Sequence, residues 1–312
     1  MEKTESKNGC FEYQDKDLPG ATPLYLNSSA LKRAHCRRAF AMTWRGFAPP
    51  EEKESQDRLD IGNAVHKFAE AFARTGDVTE GIRVAAAKYP NVERKILIAA
   101  ASSRSQIYLP PPITINNKLA VEFTFRIPWY SFMWKGVLYQ LIICGTIDYI
   151  SYDRGAVRIY DYKTSQTKMR DYALKKYEHS SQFAFYQWVL WKYAARLGIP
   201  LEIANDIRAG KISSQVVPVL INSPGSPWVI GPVRSLTTHM FEEYEAHLYK
   251  LVFETLVPAY LQGEEAPADG MINDSCQYCL FKSFCYGTSE AAQAKTLAEY
   301  PVKQYNPTDR ED

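Results

Sequence analysis

Long apolar runs are missing from this chain of 312 residues, and none approaches the roughly 18 apolar positions that a membrane-spanning helix requires. The opening MEKTESKNGC has no apolar block of the kind a secretory leader carries, so the expectation is a protein of a reducing, cytoplasmic compartment with no membrane attachment. Cysteine is scarce: six in the whole chain are too few for a disulfide scaffold. A charge excess of one sign is absent too. Lysine and arginine number 37 against 35 aspartate and glutamate, and the resulting +2 argues against a uniformly basic nucleic-acid binder while leaving room for a local basic groove. Internal repeats and low-complexity blocks are also lacking. What is there is ordinary globular material, 46% hydrophobic and 23% charged, in a length that buries a sizeable core as one large domain or two modest ones.

Periodicity divides the chain by type. Residues 1–20 are polar and read as a loose tail. A helix is expected from Asn27 to Ala41, with Ser28 or Ser29 as its cap and a dense basic set along it. Ile61, Val65, Phe68 and Phe72 recur at helical spacing and mark an amphipathic helix that ends near Gly76. Residues 80–107 read as further helix, until Pro110-Pro111-Pro112 breaks the pattern. The period then changes to that of strands over 120–127, 138–151 and 156–164, with Asp153-Arg154-Gly155 as a hairpin turn. A long helix over 171–197 is stopped by Gly198 and Pro200; strands at 216–222 and 228–233 and a helix over 236–261 follow. This order predicts an α/β fold in one integrated domain. Residues 1–20 form its tail, 21–110 a helical lobe, 111–262 the core, 263–288 a cysteine-rich segment and 289–312 a polar C-terminal tail.

Two acids and a lysine carry the most chemistry. Asp161 and Lys163 are two apart on a strand and so share a face, and Asp148 lies on the preceding strand of the hairpin. Hard oxygen ligands so placed suit Mg²⁺ or Mn²⁺, and a nearby ammonium can orient a metal-bound water or stabilise charge building on a phosphate. Standing alone, such a pair is more often a solvated strand edge. Three further signals stand in order around it. Gly62 and His66 share one helical face, and a glycine there suggests close backbone approach. Glu122 sits in a strand between apolar neighbours, and Gln182 and Tyr186 form an i, i+4 pair on the following helix.

The cysteines have their own arithmetic. Cys276, Cys279 and Cys285 are spaced C-x₂-C-x₅-C, and three thiolates of that spacing want a fourth, for which Cys36 is the obvious donor. Spacing leaves zinc, iron–sulfur, a disulfide or unrelated buried thiols open, with the disulfide disfavoured in a reducing compartment. Cys10 and Cys144 are left over, Cys144 as a small core residue.

Taken in order, Gly62 and His66, Glu122, Gly145 and Asp148, Asp161-Tyr162-Lys163, and Gln182 with Tyr186 resemble the RecB-like branch of the PD-(D/E)XK nuclease superfamily, which includes CRISPR-adaptation-type exonucleases. The resemblance implies a restriction-endonuclease-like core, a mixed central sheet flanked by helices, with a helical N-terminal lobe and a C-terminal iron–sulfur segment. It implies a Mg²⁺- or Mn²⁺-dependent deoxyribonuclease, an exonuclease on single-stranded DNA or DNA ends. By the same resemblance His66, Asp148, Asp161, the backbone carbonyl of Tyr162 and, least securely, Glu122 bind the metal, with Lys163 as catalytic lysine and Asp148 and Asp161 as catalytic acids. Gln182 and Tyr186 match the QxxxY motif that helps hold DNA. One departure is Ile147 where the superfamily places proline before the first aspartate. Cys36, Cys276, Cys279 and Cys285 match the layout that binds a [4Fe–4S] cluster, with Zn²⁺ as the alternative.

Such a cluster would close a loop of about 240 residues and act structurally. Lys32, Arg33, Arg37 and Arg38 around Cys36, and Lys168, Arg170, Lys175 and Lys176 after the catalytic strand, could line a DNA path, although a basic run on a helix is commonly a solvated face. The implied setting is a bacterial, archaeal or phage-infected cell, in repair, recombination, phage replication or CRISPR-type processing, with a helicase, recombinase or CRISPR-type partner. The rival expectations are a nuclease-fold DNA-binding scaffold without turnover and a cysteine-ligated electron carrier or zinc module.

Overall fold

A computed structural model describes residues 3–6, 9–48, 53–103, 109–165, 174, 177, 180–222, 231, 233–271, 276 and 279–302 of the chain. Its strands are β1 (Lys3–Ser6), β2 (Gly9–Tyr13), β3 (Thr22–Leu26), β4 (Thr114–Ile115), β5 (Lys118–Leu119), β6 (Val121–Trp134), β7 (Val137–Asp153), β8 (Ala156–Ser165), β9 (Ile212–Leu220) and β10 (Val233–Ser235). Its α-helices are α1 (Ser28–Leu31), α2 (Arg37–Trp44), α3 (Lys53–Thr75), α4 (Val78–Lys88), α5 (Glu93–Ser103), α6 (Ser181–Tyr193), α7 (Leu201–Arg208), α8 (Thr238–Leu251), α9 (Val257–Gln262), α10 (Lys282–Cys285) and α11 (Glu290–Ala298). The class is mixed α/β with a central mixed sheet, parallel at β3–β7 and β8–β9 and antiparallel at β1–β2, β2–β6, β7–β8 and β9–β10.

Two compact units interleave along the chain, one made of 51–123 and 146–244, the other of 1–50, 124–145 and 245–312. This is not the run of consecutive segments the sequence suggests. Two of the four break points fall inside β6 and β7, strands of 14 and 17 residues that no turn signal subdivides, and a third falls inside α8. Cys36 and His66, expected in one lobe, belong to different units.

In the unit of 51–123 and 146–244, β8 pairs in parallel with β9 over nine residues, from Val157–Ile212 to Ser165–Leu220. Every residue of β9 is buried, which explains its near-continuous apolar text. On one face of these strands Tyr160, Tyr162, Val217 and Val219 pack with Ala64, Val65 and Phe68 of α3, Ala85 of α4 and Ile96 and Ala99 of α5. The expected helix over 80–107 is two, because Pro90 ends the first at Tyr89. Gly62 does not mark a close approach: a Cβ there meets nothing within 4 Å. The close approach is at Gly81 of α4, whose Cβ position lies 2.9 Å from the Phe68 ring. The β7–β8 turn is as expected, with Arg154 and Gly155 at φ 51° and 77°, the left-handed pair that a two-residue hairpin of matching twist requires.

The helix expected over 171–197 is observed as α6; residues 171–173 and the cations Lys168, Arg170, Lys175 and Lys176 lie outside the described residues, as does most of the strand expected at 228–233. Within α6 the buried Gln187 donates to Ser214 Oγ at 2.9 Å and to the Arg234 carbonyl at 3.0 Å, and its Oε1 accepts from the Leu236 amide at 3.2 Å.

In the other unit, the expectation of a loose tail is corrected over 3–13: β1 and β2 pair, and β2 joins β6 at Tyr13–Tyr130. The reason is apolar. Phe11 is buried with its ring 5.2 Å from Phe132 and 4.3 Å from Phe253. The helix expected over 27–41 is broken into α1 and α2 by a turn at 32–36 that carries Cys36 to the start of α2. Cys144 is buried, as expected of a small core residue. The helix expected over 236–261 passes through a π-helical turn at Val252–Leu256 before α9, where Pro258 supplies no amide to the ladder.

Replacing Gln187 by alanine strands a donor and two acceptors in the core and leaves a cavity, so Gln187→Ala is expected to lower unfolding free energy by roughly 2–4 kcal/mol. Denaturant titration at unchanged m-value checks it, and a loss below ~1 kcal/mol contradicts it.

Candidate active site

The acids meet where two strands part. Pairing of β7 with β8 runs from Asp153–Ala156 to Tyr149–Tyr160. One residue beyond, the Tyr162 amide donates to the Asp148 carboxylate at 2.7 Å, so a side chain satisfies a backbone donor at the end of the ladder. Asp148 and Asp161 are 7% and 2% exposed, a burial that carboxylates tolerate with partners. Asp161 finds two: Lys163 Nζ lies 2.7 Å from Oδ2, and Gln182 Nε2, from the first turn of α6, donates to Oδ1 at 2.8 Å. The shared face of Asp161 and Lys163 is thus realised, and the i, i+4 partner Tyr186 is buried on α6.

On the opposite side α3 delivers His66. Its Nδ1 lies 3.2 Å from Glu122 Oε1 and 3.5 Å from Asp148 Oδ2. His66, Glu122 and Asp148 each offer a ligand atom, all within 4.8 Å of one another. A six-coordinate cation with bonds near 2.1 Å spans donors roughly 3–4 Å apart, so this nitrogen and these oxygens fit Mg²⁺ or Mn²⁺. Glu122, the least secure of the sequence assignments, is central to the group. Asp161, an expected ligand, is outside it, its oxygens taken by Lys163 and Gln182. The Tyr162 ring packs in the core beside α3, 6.2 Å from the His66 ring.

Glu122 reaches this position through an unusual backbone. Its φ is +49°, in the left-handed region that costs a non-glycine residue roughly 1–3 kcal/mol. Nothing in the sequence marks it, because glutamate carries no turn preference.

Charge couples these groups tightly. Burial raises the Asp148 carboxyl above the usual range despite the His66 charge, with Glu122 adding to the rise. Burial and the Asp148 charge push Asp161 up to about 6 against the pull of Lys163. Burial opposes the His66 cation, but Asp148 and Glu122 outweigh it and raise the imidazole to about 9. Lys163 is likewise disfavoured by burial and held above its ordinary value by Asp161 and Asp148. The site as it stands is a cluster of acids neutralised by two protonated bases.

The four expected cysteines, all in the unit of 1–50, 124–145 and 245–312, are also brought together. Cys36 packs with Met42, Phe281, Phe284 and Tyr300, with Cys279 and Cys285 against them, and the Cys279 amide donates to the Cys276 carbonyl at 3.2 Å. Burial raises the Cys279 thiol, with Cys36 and Cys276 adding to it, and burial raises Cys285, with Cys279 and Cys36 adding to it. Thiols gathered in this way, two of them kept from ionising by burial, suit a cationic centre. The arginines expected on a DNA path have protein partners instead. Arg37 forms a two-pronged pair with Asp269 at 2.8 Å, Arg38 donates to the Ala266 carbonyl at 2.8 Å and to Cys285, and half-buried Arg33 feels the Cys279 charge.

The model of the PD-(D/E)XK nuclease superfamily matches residues 28–286, and the chain belongs to that superfamily. Its members are metal-dependent nucleases, and the central mixed sheet flanked by helices is their fold. No curated protein matches. Among solved structures the chain is similar to one described as "Crystal structure of SSO0001", at 12% identity over 73% of this chain and 85% of that one, with a TM-score of 0.26 that carries nothing further across.

A cation bound by His66 Nδ1 needs the neutral imidazole, so uptake near pH 7 displaces a proton that the apo site holds up to about 9. Mn²⁺ affinity is therefore expected to rise with pH from 7 toward 9 and then level, with heats of binding that depend on the ionisation enthalpy of the buffer. Calorimetry in two buffers checks it; buffer-independent heats and a flat pH profile would contradict it.

Proposed function

We propose that this protein is a Mg²⁺- or Mn²⁺-dependent deoxyribonuclease of the RecB-like branch, an exonuclease on single-stranded DNA or DNA ends, with a [4Fe–4S] cluster on Cys36, Cys276, Cys279 and Cys285. The observation that carries the reading is the convergence of His66, Glu122 and Asp148 within 4.8 Å beside a Lys163–Asp161 pair at 2.7 Å. The bound cation supplies charge neutralisation at the phosphate and lowers the pKa of a coordinated water.

The chain's own residues do the rest. His66, Glu122 and Asp148 hold the cation, with Asp161 and the Tyr162 carbonyl completing the set in this reading. The Lys163 ammonium, fixed by Asp161 and partly exposed, presents a donor to the attacking water or to the developing phosphate charge. Gln182 fixes Asp161, so the first turn of α6 sets the direction of the acid. The single-strand or end preference rests on the likeness of the motif order to that of exonucleases. The cysteine reading is supported by Cys36, Cys279 and Cys285 under one apolar cap, by the Cys276 carbonyl that accepts from the Cys279 amide, and by Arg33 and Arg38 beside them as counter-charges. Its role is structural: it joins α2 to the segment of α10 within one unit.

End-labelled single- and double-stranded DNA with Mg²⁺ or Mn²⁺ tests the nuclease reading. Lys163→Ala is expected to slow cleavage by about 100-fold or more, the scale of a lost general acid–base group. Equal degradation by both proteins would sink the site; binding without cleavage by the wild type would favour the scaffold reading. The cluster has a separate check. Cys279→Ala is expected to lose broad visible absorption, bound iron and folded yield together, and a stable, colourless, fully active variant would contradict it.

A further inference from the structure

We propose that Arg74 is a positioning residue for the metal centre, acting through the backbone of Glu122; this rests on the metal-site reading above. His66, Glu70 and Arg74 recur every four residues and line one face of α3. At one end of the row His66 Nδ1 meets the Glu122 carboxylate at 3.2 Å. Two turns on, Arg74 Nη2 donates to the Val121 carbonyl at 2.9 Å. That carbonyl belongs to the peptide plane between 121 and 122, and rotation of this plane about the next N–Cα bond is φ of Glu122. The chain after Glu122 is held in β6, which lies beside β7 in the sheet, so holding the oxygen on the other side of Glu122 holds the dihedral between them.

The guanidinium is itself fixed. Glu70 Oε1 accepts from Arg74 Nε at 3.2 Å, and Glu70 Oε2 accepts from Lys67 Nζ at 2.9 Å. The chain just before Val121 is tied elsewhere: Ala120 donates to the Ile113 carbonyl at 2.8 Å and accepts from the Ile150 amide at 3.0 Å. The left-handed φ at Glu122 is thus trapped between a preceding peptide anchored by Arg74 of α3 and a following segment anchored in β6. Released, Glu122 would relax to an ordinary strand φ, and its side chain would leave His66 and Asp148. As a permanent cation Arg74 offers a metal no ligand atom, so its effect on the centre is indirect, through the Val121 carbonyl.

The probe is Mn²⁺ itself, bound to the full chain carrying its cysteine-held group and read by the paramagnetic resonance of the free ion. Arg74→Met is expected to weaken Mn²⁺ binding by about tenfold, the lower end of what loss of an outer-shell partner costs, and Arg74→Lys to recover part of it. Glu122→Gln should weaken binding too, and Arg74→Met added to it should cost little more. Additive losses, or an Arg74→Met protein that loses thermal stability with unchanged Mn²⁺ affinity, would overturn the proposal. If Arg74→Met does not fold, the Arg74→Lys comparison in the two Glu122 backgrounds decides it on the same criterion. Wild-type protein that takes up no Mn²⁺ would instead sink the metal reading, and this proposal with it.

Discussion

Two carboxylates of like charge, Asp148 and Asp161, are buried where β7 and β8 part, and this is the constraint from which the rest of the site follows. A single buried carboxylate is costly, and a close pair adds repulsion to desolvation. The chain answers with a backbone amide from Tyr162, an amide side chain from Gln182, and two cations, His66 and Lys163, from opposite sides of the sheet. The four donors come from three elements: Tyr162 and Lys163 from β8 itself, Gln182 from α6 and His66 from α3. Packing of α3 against Tyr160 and Tyr162 and of α6 against β9 is therefore also the alignment of the site. A divalent cation held by His66, Glu122 and Asp148 would supply, in one ion, the compensation that protonated His66 now gives.

Much of this was legible in the text of the chain. Hard carboxylates on adjacent strands of a hairpin and a lysine sharing the face of Asp161 are consequences of strand periodicity, and periodicity is local. The hairpin at Arg154-Gly155 and the apolar run of β9 were readable for the same reason. What was not legible is what depends on distant partners. Glu122 read as an ordinary strand residue because a left-handed φ on glutamate leaves no mark in composition. Gly62 reads as a close approach because a mid-helix glycine signals cost without naming a neighbour; nothing packs there, and the close packing is that of Phe68 against Gly81. Gln187 gave no signal at all: its three hydrogen bonds reach 27 to 49 residues away along the chain.

The arginines around Cys36 show the same limit from the other direction. A basic run beside a suspected DNA enzyme suggests phosphate contacts, since charge is visible in a sequence and its partner is not. In the fold Arg37 is spent on Asp269, and Arg33 and Arg38 face thiols that burial keeps from ionising. These side chains turn to Asp269 and to the thiols, partners that lie far from them in the sequence. A near-zero net charge is then no puzzle, because acids and bases in both sites are largely matched against each other.

The interleaving of the two units has a consequence for how the protein is made. Synthesis is vectorial, at about 5–20 residues per second, and domains tend to fold as they emerge. The unit that holds Cys36 takes its other parts from 124–145 and from beyond 245, whereas the unit that holds the acids is complete at 244. The first cysteine leaves the ribosome long before its three companions, and the intervening unit has all its residues before they arrive. The thiol pocket therefore has all its residues only after those of the acid centre, which can assemble without waiting for it.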